Sequence, residues 1–223
     1  MSMLKKSALV LTLLAGFATH NAQALETTQT FSIASQTTDW VEMFNVNRFN
    51  TALGTLNAVT FSYSGTLNNT VSFENTGNGT GRFTAQFTNI LGVVNNPDPE
   101  AFALSEAYDS QSYTTRLAKT DGVRTNVFSP MTLSGSFSAS STDLAAYSGS
   151  GTFSLGLRES SWVSMTTPGN SRTSATSIGS GSLSVTYAYT AAPVPEPESY
   201  AMFLAGLCIM GTISRRRLQG LGR

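Results

Sequence analysis

Cysteine and histidine are almost missing from this chain of 223 residues: there is one of each, Cys208 and His20. Both lie near the ends, so residues 25–192 contain neither. That excludes Ser-His-Asp and Cys-His nucleophilic catalysis there, which need an imidazole to take and return a proton. It also excludes disulfides and the usual zinc sites, whose ligands are His and Cys. Charge is scarce too, at 12% Asp, Glu, Lys and Arg. Residues 25–192 hold seven basic and eleven acidic side chains, a net charge of −4, and the neutrality of the whole chain comes from its basic ends. Scattered arginines on a mildly acidic domain leave no footprint for nucleic acid. What remains is carboxylate chemistry, chemistry at the single Lys119, or no chemistry. The reading is that the protein is not an enzyme and needs no cofactor or metal.

The two ends carry the apolar runs. "MSMLKKSALVLTLLAGFATHNAQALE" opens with Lys5 and Lys6, continues with an apolar run from Ala8 to Ala18, and closes on Ala22-Gln23-Ala24. A basic start, an apolar middle and small residues before a cut describe a secretory signal peptide over 1–24. Ala22 and Ala24 form the peptidase site. At the other end, Tyr200 to Ile213 is nearly uncharged and lies between Pro195-Glu196-Pro197 and Arg215-Arg216-Arg217. As a helix it would extend only about 21 Å, against a bilayer core of roughly 30 Å. Its flanks decide the reading. The β-domain has already ended, Ser199 and Ser214 lengthen the segment, and the arginines supply a positive cytoplasmic stop. The expectation is a short membrane helix over 199–214, a basic stop at Arg215, Arg216 and Arg217, and a cytoplasmic tail at 218–223.

Between the ends the chain reads as strands. Val59, Phe61 and Tyr63 alternate with Thr60, Ser62 and Ser64; Phe83, Ala85 and Phe87 alternate with Thr84, Gln86 and Thr88; Leu183, Val185, Tyr187 and Tyr189 alternate with Ser184, Thr186 and Ala188. A period of two repeated this often predicts antiparallel strands with one buried and one solvated face. Strands are expected near 27–35, 40–48, 56–64, 69–75, 80–90, 122–128, 131–140, 150–158, 161–166 and 182–190, with one helical turn at 143–147. Stretches rich in Gly, Asn and Pro, such as "TGNGTG" and "TTPGNSRTS", read as turns. The irregular stretch 92–121 reads as a long surface connection. The fold class is therefore all-β: one exported domain, 25–192, an antiparallel two-sheet sandwich or jelly roll.

Candidate chemistry within that domain is thin. Asp39, Glu42, Glu74, Asp98, Glu100, Glu106 and Asp109 are carboxylates of the type that glycoside hydrolysis pairs, but no spacing sets two of them apart from ordinary surface charges. "NNPDPE" with Glu106 and Asp109 offers oxygen ligands for calcium, yet no EF-hand pattern is present and a proline-stiffened turn is the plainer reading. Trp40, Trp162, Tyr108 and Tyr113 are the rings that would stack on sugar. Trp40 begins an apolar strand and reads as core, whereas Trp162 stands open between core and surface. The abundant Ser and Thr suit both a sheet surface and O-glycan attachment.

At the C-terminus the residues carry a resemblance. Val194-Pro195-Glu196-Pro197, then Ala205-Gly206-Leu207 and Gly211, then the three arginines, look like a PEP-CTERM sorting signal over 193–217. The resemblance implies export through the general secretory machinery, membrane transit in a Gram-negative bacterium, and processing near Pro195, Glu196 and Pro197 by exosortase, a membrane-embedded cysteine transpeptidase. "RFNTALGTLNAVTFSYSGTL" (48–67), "DLAAYSGSGTFSL" (143–155) and "SVTYAYT" (184–190) resemble the choice-of-anchor E type of exported β-domain, which has no assigned catalysis. Together these imply a structural or adhesive protein of the cell surface or of the extracellular polysaccharide (biofilm) matrix. A carbohydrate-binding module that recognises that polysaccharide is the alternative, and a carboxylate hydrolase the remote one.

Overall fold

The computed structural model describes residues 24–95, 97–98, 103–192 and 202–210. The chain falls into two units, and Ala24–Ala192 is the larger. Its described residues form nine strands: β1 (Ala24–Thr37), β2 (Trp40–Asn47), β3 (Gly54–Asn75), β4 (Gly81–Val94), β5 (Ser105–Leu117), β6 (Val123–Val127), β7 (Met131–Ser138), β8 (Thr152–Thr166) and β9 (Ser171–Ala191). One sheet runs β1-β9-β3, with β7 and then β6 along the far side of β3; the other runs β2-β8-β4-β5. Every pairing is antiparallel. The two-sheet antiparallel architecture expected from the alternation is present.

Several strand boundaries differ from the sequence reading where inward positions are small or polar rather than large and apolar. The two strands expected at 56–64 and 69–75 are one, β3, which runs through Gly65. Gly65 does not turn the chain; it faces Gly181 across the β3–β9 ladder, where the other sheet comes close. A Cβ there would sit 2.7 Å from the Ser180 carbonyl oxygen and 2.9 Å from Leu91 Cδ2. The pair at 150–158 and 161–166 is likewise the single strand β8. The strand expected at 182–190 is only the C-terminal half of β9, whose first half was read as loop because its inward positions are the small residues Ala175, Ser177, Gly179 and Gly181. The supposed connection 92–121 contains β5. Its inward positions include Ala107, Gln111 and Thr115, so no apolar alternation marks it. The helical turn expected at 143–147 is a 3-10 turn, Leu144–Tyr147.

Gly65→Ala tests this close approach. Overpacking of this kind costs about 1–3 kcal/mol, so the melting temperature should fall by several degrees. An unchanged melting temperature would show that the sheets have room to spare at that point.

Apolar side chains between the sheets form two clusters. One gathers Val59, Phe61, Tyr63, Leu67, Leu91, Leu157, Leu183, Val185 and their neighbours. The other is smaller: Val71, Phe73, Phe83, Ala85, Phe87 and Leu117. A polar layer divides them. Asn69 follows Leu67 on the inward face of β3, Asn89 follows Phe87 on β4, and Glu159 and Ser161 follow Leu157 on β8. Asn69, Asn89, Glu159 and Ser177 are all buried. Buried polar groups require hydrogen bonds, and most of this layer is bonded. Ser177 Oγ donates to Asn69 Oδ1 at 2.6 Å, Asn69 Nδ2 to Gln111 Oε1 at 3.2 Å, and Ser161 Oγ to Asn89 Oδ1 at 2.8 Å. The Asn69–Gln111 bond joins β3 to β5 and so ties one sheet to the other.

The second unit contributes one described element, a helix at 202–210. Nine residues rise about 14 Å, well short of a bilayer core. Among the described residues no helix is long and apolar enough to cross a membrane. The expected span of 199–214 reaches beyond the described helix at both ends. The signal peptide of 1–24, apart from Ala24, lies outside the described residues. So do Pro195, Glu196, Pro197, Arg215, Arg216 and Arg217. Ala22 lies outside them too, and Ala24 opens β1 opposite Thr190.

Candidate functional site

Opposed residues in an antiparallel ladder point to the same side of the sheet, so register decides which side chains share a face. Three rows cross β8, β4 and β5. Arg158, Gly92 and Glu106 form the first, Ser160, Ile90 and Tyr108 the second, Trp162, Thr88 and Ser110 the third. Their neighbours fix the side. Ala107 packs on the core and Ser161 bonds Asn89 inside it, so Tyr108 and Trp162 face outward. Trp162 is 61% exposed and Tyr108 78% exposed. They lie on diagonal positions either side of β4. Two strand spacings and two residues of rise separate their backbones by on the order of 12 Å.

Ile90 lies between the two rings, and polar side chains rim them. The next rows outward hold Ser164, Gln86 and Ser112, then Thr166, Thr84 and Thr114. Thr84 and Thr114 share a hydroxyl hydrogen bond of 3.0 Å. The charged pair at the other end neutralises itself: an Arg158 guanidinium nitrogen donates to Glu106 Oε1. Gly92 lies between them, and a Cβ there would press on Glu106 Cγ at 2.9 Å. The glycine lets the glutamate cross β4 to reach the arginine.

The other candidate rings are structural. Trp40 is buried, as expected of a core residue. Tyr113 faces inward and stacks on Phe73, with centroids 6.4 Å apart and planes at 8°. Of the four rings proposed from sequence, the fold brings two onto one solvent face.

The carboxylates are scattered. Glu74 lies on the outer face of the other sheet, 3.8 Å from Arg172. Glu42 lies within 3.5 Å of Gln36 at the β1–β2 end. Asp109 caps the next main-chain amide, Ser110 N, at 2.7 Å. Asp39 has a positive φ of 67° in the β1–β2 turn and accepts from Ser161 N at 3.0 Å. Glu100 lies outside the described residues. Among the described residues no group of three or more Asp, Glu, His or Cys is placed to hold a metal ion, and Glu106 is committed to Arg158.

One acid was not singled out from sequence. Glu159 is fully buried, opposite Trp40 in the β2–β8 register, beneath Gly179. Neither of its carboxyl oxygens has a hydrogen-bond partner, and the Trp40 indole nitrogen has none either. Burial pushes the Glu159 carboxyl up to about 8; the Asp39 main-chain amide pulls it down, and the Asp39 charge pushes it further up. The signal was present in the sequence. Glu159 continues the inward parity of Phe153, Leu155 and Leu157, so a strand running two residues further buries it.

Comparison with known proteins leaves Ala24–Ala192 without an informative relative. No curated protein matches the chain. Matches among solved structures include chains from viruses. Desmodium yellow mottle tymovirus is 10% identical, over 88% of this chain and 95% of that one, with a TM-score of 0.20. Infectious bursal disease virus, Gx strain, is 9% identical over 74% of this chain and 37% of that one, at 0.21. Turnip yellow mosaic virus is 10% identical, over 87% and 94%, at 0.19. Scores this low carry no argument. The C-terminus is different: residues 193–217 match the PEP-CTERM protein-sorting motif, which implies an exported protein sorted by exosortase.

Proposed function

We propose that this protein is a structural or adhesive component of the cell surface or extracellular polysaccharide matrix of a Gram-negative bacterium, delivered there by its C-terminal sorting signal. The observation that carries the reading is the motif at 193–217, which begins directly after the last described residue of the sandwich, Ala192. The sandwich is the cargo, a choice-of-anchor E-like domain without catalytic activity. Pro195-Glu196-Pro197 is the processing site, the segment 199–214 holds the chain in the membrane during transit, and Arg215, Arg216 and Arg217 stop it. Ala22 and Ala24 mark the cut that releases the N-terminus.

A sandwich suits this role. It presents two broad sheet faces, and between them it buries enough apolar surface to do without disulfides. The test is replacement of Pro195, Glu196 and Pro197 by alanine in the native host. The expected result is a membrane-retained form of higher mass than the normal product. A variant that reaches the matrix at normal mass would overturn the role assigned to the motif.

A further inference from the structure

We infer that the outer face of the β2-β8-β4-β5 sheet binds a neutral polysaccharide, with Trp162 and Tyr108 as the two stacking platforms. This deepens the matrix reading by naming what the displayed domain holds. Binding is measured independently of sorting, so either can fail alone.

Three observations lead there. First, two of the largest amphipathic side chains in the chain stand on one solvent face, at 61% and 78% exposure. Buried anchoring is the commoner use of Trp, and Trp40 and Tyr113 show that use here. Second, most of the surroundings are hydroxyls and amides: Thr88, Ser110, Ser160, Ser164, Gln86 and Ser112 occupy outward positions around the rings, and half-buried Ile90 lies between the two rings. A pyranose has an apolar C–H face and a rim of hydroxyls, so ring and rim both find a counterpart on such a surface. A protein partner is fitted instead by a broad apolar patch with depleted polar groups at its centre, whereas Trp162, Ile90 and Tyr108 form a narrow diagonal strip rimmed by hydroxyls and amides. Third, the charges nearest the rings cancel, because Arg158 and Glu106 pair across Gly92; the other two arginines of the face, Arg82 opposite Arg116, lie at its far end, six residues along β4 from Thr88. A polyanion or nucleic acid requires a basic surface at the point of contact, which the two rows that hold the rings do not supply. An extended chain lying across the strands touches both rings at once.

Native electrophoresis of the full chain through gels containing hydroxyethylcellulose, galactomannan or dextran, with alginate as the polyanionic control, tests this. The full chain should be retarded by at least one neutral polymer. Trp162→Ala and Tyr108→Ala should each weaken retardation about tenfold or more, as central aromatic contacts do. Trp162→Tyr should retain most of it, and all three variants should melt with the parent because both rings are exposed. Binding should also shift the tryptophan emission, and Trp162→Ala should abolish that shift. No retardation by any neutral polymer would overturn the inference. So would retardation by alginate alone, or retardation unchanged when Trp162→Ala and Tyr108→Ala are combined.

Discussion

Replacing Glu159 by glutamine is expected to raise the melting temperature at pH 8 by on the order of 10 °C and to leave it nearly unchanged at pH 4.5. Glu159 is buried without a hydrogen-bond partner, and burial pushes its carboxyl up to about 8 from the ordinary 4.5. Between those values the folded state keeps a proton that the unfolded chain has given up. Stability is therefore greatest below the unfolded value. It falls by about 1.4 kcal/mol per pH unit as pH rises through the window, and levels off above the folded value. At pH 8 the accumulated loss is about 4 kcal/mol, a large fraction of the 5–15 kcal/mol that holds a typical domain together. Glutamine has nearly the same shape and no proton to lose, so its unfolding curve should be flat over the window. Thermal scans of both proteins from pH 4 to pH 9 measure this. A parent protein equally stable at pH 5 and pH 8 would contradict it, as would a Glu159→Gln variant that melts with the parent at pH 8.

The direction is opposite to that of most acid-sensitive proteins, in which paired carboxylates lose stability as pH falls. It follows from the place of Glu159 in the polar layer. Asn69, Ser177, Asn89 and Ser161 bond one another or Gln111. Glu159 and Trp40 share the same layer without hydrogen bonds. A neutral acid is the form that this setting tolerates.

Phe73→Ala should cost about 3–5 kcal/mol, the usual range for a phenylalanine removed from a packed interior. Phe73 is fully buried, 5.2 Å by centroid from Phe83 and stacked on Tyr113. It sits in the smaller core cluster, beyond the polar layer, where few other side chains can close over the gap. Phe137→Ala serves as the comparison. Phe137 stacks on Phe61 at 4.8 Å but is only half-buried, so its removal should cost clearly less. Urea unfolding of the two variants would show the midpoint falling more for Phe73→Ala, with similar slopes. A larger loss in Phe137→Ala would mean that the smaller cluster contributes little to stability.

How much of this was legible in the sequence depended on the side chains at inward positions. Strands whose inward residues are large and apolar declared themselves: Val59, Phe61 and Tyr63 in β3, Phe83 and Phe87 in β4, Leu183 and Val185 in β9. Strand β5 did not, because this edge strand interrupts its inward row with Ala107, Gln111 and Thr115, leaving only Tyr113 and Leu117 as large apolar residues near its end. The first half of β9 hid for a related reason. Where two sheets approach closely the inward residues must be small, and Gly179 and Gly181 read as turn residues until the partner sheet is in place. The ring pair lay further out of reach. Tyr108 and Trp162 are distant in sequence and share a face only because β5 and β8 both pair with β4, a matter of register that no local pattern states. The sorting signal needed no tertiary structure at all, since its motif, apolar run and arginines are contiguous.

The central claim is that the β-sandwich is cargo and the C-terminal segment its removable address. Intact mass spectrometry of the protein recovered from the matrix of its native host tests it most directly. The account predicts a chain that begins at Leu25 and ends close to Pro195-Glu196-Pro197, carrying whatever group the transpeptidase attaches there. A recovered chain that still extends through Arg215, Arg216 and Arg217 would contradict it.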